Sequence, residues 1–405
     1  MARNRVCDYR GCLPGHELWR AEHEKLAGHF KSKVFSLPAI RHSIPVLILL
    51  MVVQHLPAAQ NPCEALGPFT EPPPAYQNKF GAYTTVIEDV RGHALTNPAQ
   101  WQKRRQEIFS YWDKMLGPWP QLISHPRVEI LKTTEQDGFT EQGVRLEIAN
   151  DQTTEGYLLI PKGKGPFPAA FVPYYEPETS LGRTKQELRD FGLQLTRRGF
   201  VTLSIGSPGG DARKPPQTKS QPLYFLAYVA ANCANVLGDL PQVDPRRIGV
   251  VGHSYGGKWA MFAAAFSEKF ACGVWSDPGI VFDEARSNVN YWEPWYLGFD
   301  PRQSRKSGVI SPDRPRTGPY KTLMEEHRDL TEILTLMAPR PFLVSGGSED
   351  TAERWEALNR VREVYHLLGR TNSVALTTRP KHDPTPESNQ VIYNFFECFL
   401  NTNRN

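Results

Sequence analysis

The sequence has no apolar run long enough to span a bilayer and almost no net charge outside its first residues. The apolar run 44–53 contains ten residues, about half of what a transmembrane helix requires. The formal charge of +4 arises within residues 1–42, where eight Lys and Arg stand against four Asp and Glu. Because nucleic-acid binding requires clustered Lys and Arg, the balanced remainder of the chain argues against a nucleic-acid-binding surface, and we predict no nucleic-acid partner.

Cysteine is scarce, and motifs for cofactors are missing. The six cysteines have no spacing typical of a metal site, and no G-x-G-x-x-G opens a helix after a strand, so we predict neither a metal nor a cofactor. No repeat occurs at the period of propellers or solenoids. After residue 60, one pair of cysteines at most is expected to form a disulfide in an oxidising compartment. Cys233 and Cys272 lie in apolar segments and are expected to be buried.

The first 60 residues have features of an export signal. The run 44–53 has the length of a signal-peptide h-region, and the small residues Ala58 and Ala59 follow it at the position of a cleavage site. We predict that 1–60 is a signal peptide with an over-long N-terminus and that the mature protein is secreted or periplasmic, without stable membrane insertion. A buried strand or an uncleaved anchor is the alternative interpretation of the same run.

The remaining chain is long enough for one large α/β domain with additions. The first part of region 61–124 is rich in proline, which predicts a linker. A helical pattern starts after Asn97 and predicts an N-terminal helical extension. Region 125–405 then alternates short β-branched and aromatic runs with helical patterns at 183–198, 221–238, 256–268, 352–368 and 387–401.

This alternation predicts the fold class of the catalytic domain, 125–405. We expect an α/β fold with a mostly parallel sheet of about eight strands flanked by helices, and the early strands as an antiparallel edge. An insertion, 277–325, follows the sixth strand of that sheet. Because it is long and rich in aromatic residues, Pro and Arg, we predict a lid-like segment that shapes a substrate site.

Ser254 lies within Gly252-His253-Ser254-Tyr255-Gly256, a G-x-S-x-G motif between an apolar strand pattern and an alanine-rich helix pattern. A nucleophile elbow requires this context, because the serine occupies a strained turn and the flanking glycines avoid collisions. We predict that Ser254 is a nucleophile and that the N–H of Tyr255 stabilises an oxyanion. A second N–H donor to the oxyanion is expected from the loop after "PAAFVP", from Tyr174 or Tyr175, and we predict Tyr175.

A serine nucleophile needs a histidine base and an acid that orients it. His382 is the only histidine after the last strand pattern, and Asp350 follows the penultimate one, which gives the chain order Ser, Asp, His of α/β hydrolases. Glu349, Glu353 and Asp277, the last of these after "CGVWS", are alternative acids. His253 is expected to be a packing residue.

With these motifs, residues 125–401 resemble the α/β-hydrolase superfamily. "VDPRRIGVVGHSYGG" is similar to the elbow of dienelactone hydrolases, acetyl xylan esterases and prolyl oligopeptidases, and "LTEILTLMAPRPFLVSGGSED" to a segment of secreted bacterial carbohydrate esterases, including glucuronoyl esterases. The resemblance implies Ser254, Asp350 and His382 as nucleophile, acid and base. Glucuronoyl esterases have Arg where this chain has Tyr255, whereas their sugar-contacting Lys is matched by Lys258.

The resulting expectation is a secreted serine esterase acting on an acylated or uronoyl carbohydrate, with a small-molecule or polysaccharide ester as substrate. Lys258, Trp292 and Trp295 are expected to contact the substrate, the tryptophans by stacking on sugar rings. A peptidase or general carboxylesterase is the second hypothesis. A catalytically silent binding protein is the third, because a fold alone does not imply activity. The oligomeric state does not follow from the sequence.

Overall fold

A nine-stranded sheet forms the centre of the computed structural model, which describes residues 61–89, 91–214 and 218–401, all within the unit Pro57–Asn405. The predicted signal peptide lies outside the described residues. The strands are β1 Val128–Glu135, β2 Phe139–Ala149, β3 Gln152–Pro161, β4 Phe167–Pro173, β5 Val201–Ile205, β6 Val243–His253, β7 Cys272–Ser276, β8 Phe342–Gly346 and β9 Val374–Thr378.

The order of the strands is β1-β2-β3-β5-β4-β6-β7-β8-β9. Strands β1, β2, β3 and β5 pair antiparallel in that order, and every pairing from β5 to β9 is parallel. The prediction of a mostly parallel sheet with an antiparallel edge is therefore confirmed. The sheet has nine strands rather than about eight. The insertion 277–325 follows the seventh of them, β7, and not the sixth as predicted.

Eight α-helices accompany the sheet in the described part of the chain: α1 Pro98–Leu116, α2 Phe191–Arg197, α3 Pro222–Gly238, α4 Tyr255–Phe266, α5 Gly318–Glu325, α6 Thr331–Thr335, α7 Trp355–Leu367 and α8 Pro386–Leu400. None of them is both long and apolar enough to cross a bilayer. Helices α1, α3, α4 and α7 contribute to the core on one face of the sheet, and α2 and α8 to the core on the other. Neighbouring strand residues such as Val250 and Val251 pack into opposite cores, as period-two alternation requires.

Local sequence explains where the helices begin. The Asn97 side chain accepts a hydrogen bond from the Gln100 N–H at 3.0 Å, with Pro98 as the first residue of α1. Thr385 and Ser388 form a reciprocal capping box at the start of α8. The helix predicted at 183–198 is shorter, since α2 begins only at Phe191.

A disulfide joins Cys63 to Cys398 in α8, across 335 residues of sequence. Cys233 and Cys272 are free and buried, as predicted. A crosslink over a long loop stabilises the fold chiefly by restricting the unfolded chain. The bond therefore holds the segment before α1 to the last helix.

We expect the Cys63→Ser/Cys398→Ser variant to lose about 2–4 kcal/mol of unfolding free energy in urea denaturation. Reductant supplies the control, because it should destabilise the wild type and leave the variant unchanged. Equal stability of wild type and variant under oxidising conditions would contradict a structural role for this bond.

Candidate active site

The register of the parallel strands brings three loops to one place. His253 at the end of β6 pairs with Ser276 at the end of β7, and Ser276 pairs with Ser345 of β8. The residues that follow these positions therefore leave the sheet at the same carboxyl edge. Ser254, Asp277 and the loop 347–350 are neighbours for this reason.

Ser254 occupies a strained turn between β6 and α4. Its φ is 55° and its ψ is −112°, a conformation that non-glycine residues rarely adopt. A Cβ at Gly252 would lie 2.1 Å from the carbonyl oxygen of Gly256, and a Cβ at Gly256 would lie 2.3 Å from that of Pro173. The two glycines of the motif therefore permit the sharp turn and its close approach to the end of β4.

His382 lies beside this turn and is held by Asp277. Its Nδ1 is 2.7 Å from Asp277 Oδ2, and its ring centroid is 4.6 Å from that of His253, the residue before Ser254. In the described part of the chain, neither Ser254 Oγ nor His382 Nε2 has a hydrogen-bond partner, and both residues are partly exposed. Both atoms are therefore open to a substrate.

The carboxylate that contacts His382 is thus Asp277, and the predicted pairing of His382 with Asp350 is wrong. Asp277 Oδ1 accepts hydrogen bonds from the N–H groups of Gly347 at 2.6 Å, Glu349 at 3.1 Å and Asp350 at 2.9 Å. The loop after β8 therefore supplies backbone donors to the acid. It does not supply the acid itself.

Asp350 has the reciprocal position, because its carboxylate accepts from the loop that carries Asp277. Its oxygens accept from the Gly279 N–H at 2.8 Å and the Ile280 N–H at 2.7 Å, and the side chain is fully buried. Burial, reinforced by the negative charge of Asp277, raises the pKa of Asp350 above its usual range. Each of these two loops binds the carboxylate of the other.

The raised pKa of Asp350 predicts a pH-dependent cost to stability. Because the folded state holds this proton more tightly than the unfolded chain does, the stabilisation is complete below the unfolded pKa of about 4 and is lost as the pH rises through the folded pKa. An Asp350→Asn variant lacks this loss. Its unfolding free energy relative to wild type should rise from pH 4 towards neutrality, as measured by urea denaturation at a series of pH values. A difference that does not vary with pH would contradict the prediction.

The predicted oxyanion donors are the backbone N–H groups of Tyr175 and Tyr255. Within the described residues, neither the N–H of Tyr175 nor that of Tyr255 donates to another group. Tyr255 is the first residue of α4, so its N–H lies at the positive end of the helix dipole. The two rings stack at 4.5 Å, which joins the loop after β4 to the elbow.

His253 is a buried packing residue beneath His382. Its Nδ1 lies 2.9 Å from Ser276 Oγ, and burial lowers its pKa well below the usual value. Because its pKa is lowered, the His253 imidazole is a weak base and does not compete with His382. This agrees with the packing role predicted for His253.

Lys258 does not line the cleft, contrary to the predicted substrate contact. The side chain is buried, and its Nζ donates to the carbonyls of Pro278 at 2.5 Å and Asn288 at 3.0 Å. Burial lowers the pKa of Lys258 to about 8. Lys258 therefore fastens the start of the insertion to α4.

The predicted sugar-stacking tryptophans are also placed differently. Trp292 is 1% exposed, and its Nε1 donates to the Gly308 carbonyl at 3.0 Å, so its ring belongs to the core. Trp295 is partly buried and packs against the same core. Tyr175, at 41% exposure, presents the large aromatic surface beside the elbow. The insertion thus packs these tryptophans into the core that α1, α3, α4 and α7 form on one face of the sheet.

Asp277, Glu349 and His382 offer ligand atoms that lie within 4.8 Å of one another. Both oxygens of Asp277 already accept hydrogen bonds, and Glu349 Oε1 accepts from Asn288 and Ser348. These internal partners favour a hydrogen-bonded acid–base pair over a metal centre.

Comparison with known proteins gives a family and a set of similar folds. Residues 185–390 match the model of the alpha/beta hydrolase family. Over 283 residues the chain is 23% identical to YtaP of Bacillus subtilis (strain 168), named as a hydrolase, a match that covers 64% of this chain and 85% of that protein.

Solved esterases share the fold. A glucuronoyl esterase from Solibacter usitatus has a TM-score of 0.61 at 19% identity, covering 80% of this chain and 99% of its own. A promiscuous CE15 esterase from a marine bacterial metagenome has a TM-score of 0.58 at 16% identity, covering 80% and 98%. At such identities the likeness concerns the fold.

Proposed function

Because the chain belongs to the alpha/beta hydrolase family, we propose that it is a serine esterase that cleaves carboxylic esters of carbohydrates. The observation that carries the proposal is the 2.7 Å contact between His382 Nδ1 and Asp277 Oδ2 beside the strained turn of Ser254. A base oriented by a buried acid next to a serine is the arrangement that acyl transfer requires.

In this mechanism Ser254 Oγ attacks the ester carbonyl carbon while His382 Nε2 takes its proton. The N–H groups of Tyr255 and Tyr175 stabilise the negative oxygen that forms. When the intermediate collapses, His382 returns the proton to the departing alcohol and Ser254 holds the acyl group. Water, deprotonated by His382, then releases the acid and restores the serine. Asp277 keeps the proton on Nδ1, so that Nε2 remains the basic nitrogen.

The acyl group is proposed to be a simple one, such as the acetyl group of an acetylated sugar, in preference to a uronoyl group. Tyr255 replaces the Arg of the glucuronoyl esterases that the sequence resembles, and Lys258 is buried against backbone carbonyls. Both cationic contacts to a uronoyl ester are therefore missing. The same observation favours a general carboxylesterase as the second candidate.

We also propose that the protein works in an oxidising compartment, secreted or periplasmic. The Cys63–Cys398 bond supports this, because such bonds persist outside the reducing cytosol.

A substrate panel tests the proposal. Purified protein is assayed on acetylated xylan, methyl glucuronate esters, simple acetyl esters and aminoacyl substrates, and a fluorophosphonate is used to label the nucleophile. We expect hydrolysis of acetylated xylan above methyl glucuronate, and label on the peptide that contains Ser254. Equal rates on acetylated xylan and simple acetyl esters would favour the general carboxylesterase. Absence of both hydrolysis and label would overturn the esterase.

A further inference from the structure

Arg379 lies under the loop that carries His382. It follows β9 directly, and its N–H donates to the Gly346 carbonyl at 3.0 Å. Its side chain then turns beneath the loop, where Nε donates to the Asp383 carbonyl at 2.7 Å and Nη2 donates to the His382 carbonyl at 2.6 Å. One side chain thus binds the backbone of His382 and of its neighbour.

The other side of the same guanidinium reaches the ends of two more strands. Nη1 donates to the Ser345 carbonyl at 2.7 Å and to Ser345 Oγ at 3.1 Å, near the end of β8. Nη2 lies 3.3 Å from Ser276 Oγ, at the end of β7. Since Asp277 follows Ser276, the guanidinium connects the loop of the base to the strand that delivers the acid.

The environment of Arg379 is suited to a rigid bridge. The residue is 7% exposed, and this burial lowers its pKa. Arg189 also lowers the pKa. The negative charges of Asp277, Asp350 and Asp383 act in the opposite direction and favour the protonated guanidinium. The planar fork has five N–H donors in fixed directions, whereas a lysine ammonium has three on a flexible stem. No lysine can reproduce these contacts.

We infer that Arg379 is a positioning residue that fixes His382 relative to Asp277 by bridging the His382 loop to the ends of β7 and β8. The inference rests on the proposed function. Because the guanidinium of Arg379 is buried and donates to backbone carbonyls, its effect is expected on the reaction step and not on binding.

The test is Arg379→Lys, which keeps the charge and removes the fork. We expect kcat to fall about a hundredfold through misplacement of the base, with KM unchanged. The rate of fluorophosphonate labelling at Ser254 should fall in parallel. The low-field proton NMR signal of His382 Nδ1–H should broaden or disappear, which a loss of stability alone would not cause.

Arg340→Lys provides the matched control. Arg340 also donates to three carbonyls, those of Ser267 at 2.9 Å, Phe270 at 2.8 Å and Leu336 at 3.3 Å, before the start of β8 and away from the site. Its substitution should lower Tm in a similar way and leave kcat and the His382 signal unchanged.

The outcomes separate this inference from the proposed function. A wild type that neither hydrolyses esters nor is labelled at Ser254 overturns the function. An active wild type whose Arg379→Lys variant keeps its kcat and its His382 signal overturns the positioning role alone. If Arg379→Lys does not fold, Ser345→Ala, which removes one acceptor of Nη1, should lower kcat more mildly at constant KM. An unchanged kcat and His382 signal in that variant would also count against the role.

Discussion

Replacing Asp277 by Asn is expected to lower kcat about ten-thousandfold, because it reverses the tautomer of the base. Three backbone N–H groups converge on Asp277 Oδ1, so the amide oxygen of an Asn must take that position. The amide NH₂ then faces His382 Nδ1 and donates to it. With Nδ1 accepting, the proton resides on Nε2, which can no longer take the proton of Ser254. Steady-state kinetics on the best ester of the panel measures the effect.

Asp350→Asn is the control for this variant. It makes the same isosteric change in an equally buried carboxylate that accepts two backbone N–H bonds and does not contact His382. Its kcat should therefore stay far closer to wild type. If the Asp350 variant loses activity and the Asp277 variant keeps it, Asp350 is the acid and Asp277 is not.

Ser254→Ala is expected to lower kcat about a millionfold, and His382→Ala by a similar factor, because the nucleophile and its base act as one unit. The double variant should be no slower than either single variant. Ser348→Ala is the control, since Ser348 lies on a neighbouring loop and its Oγ donates to Glu349 Oε1 at 2.9 Å. Kinetics on freshly purified proteins, with circular dichroism to verify folding, measures these effects. Losses that multiply in the double variant would contradict a shared step.

The parallel part of the sheet could be predicted from the sequence because strands such as β4, β5, β7 and β8 are short, buried and mainly apolar runs between turn residues. The predicted mostly parallel sheet with an antiparallel edge is observed, and the long amphipathic helices α1, α7 and α8 lie where helical patterns were predicted. The short helices α5 and α6, of eight and five residues, were not predicted. They depend on packing within and after the insertion, which local periodicity does not encode.

The acid could not be assigned from chain order. Asp277 and Asp350 each follow a strand, and both stand between Ser254 and His382 in the sequence. Only the three-dimensional course of the loops after β7 and β8 distinguishes the carboxylate that reaches the imidazole from the one that binds backbone amides.

A sequence signal for the burial of Lys258 did exist. Every residue of α4 is buried, and its sequence is apolar on all sides apart from this lysine. Such a helix is surrounded by protein, so a charged residue within it must find internal partners. Trp292 had no comparable signal, because aromatic residues in an insertion suit a core as well as a cleft.

The bond between Cys63 and Cys398 can form only late in the synthesis of the chain. During synthesis its first partner emerges 335 residues before its second, so the crosslink cannot close until α8 has been made. Nascent or truncated chains that end before α8 therefore carry an unmatched thiol near the start of the domain, available for mixed disulfides with other molecules. A closed bond therefore shows that synthesis has reached α8.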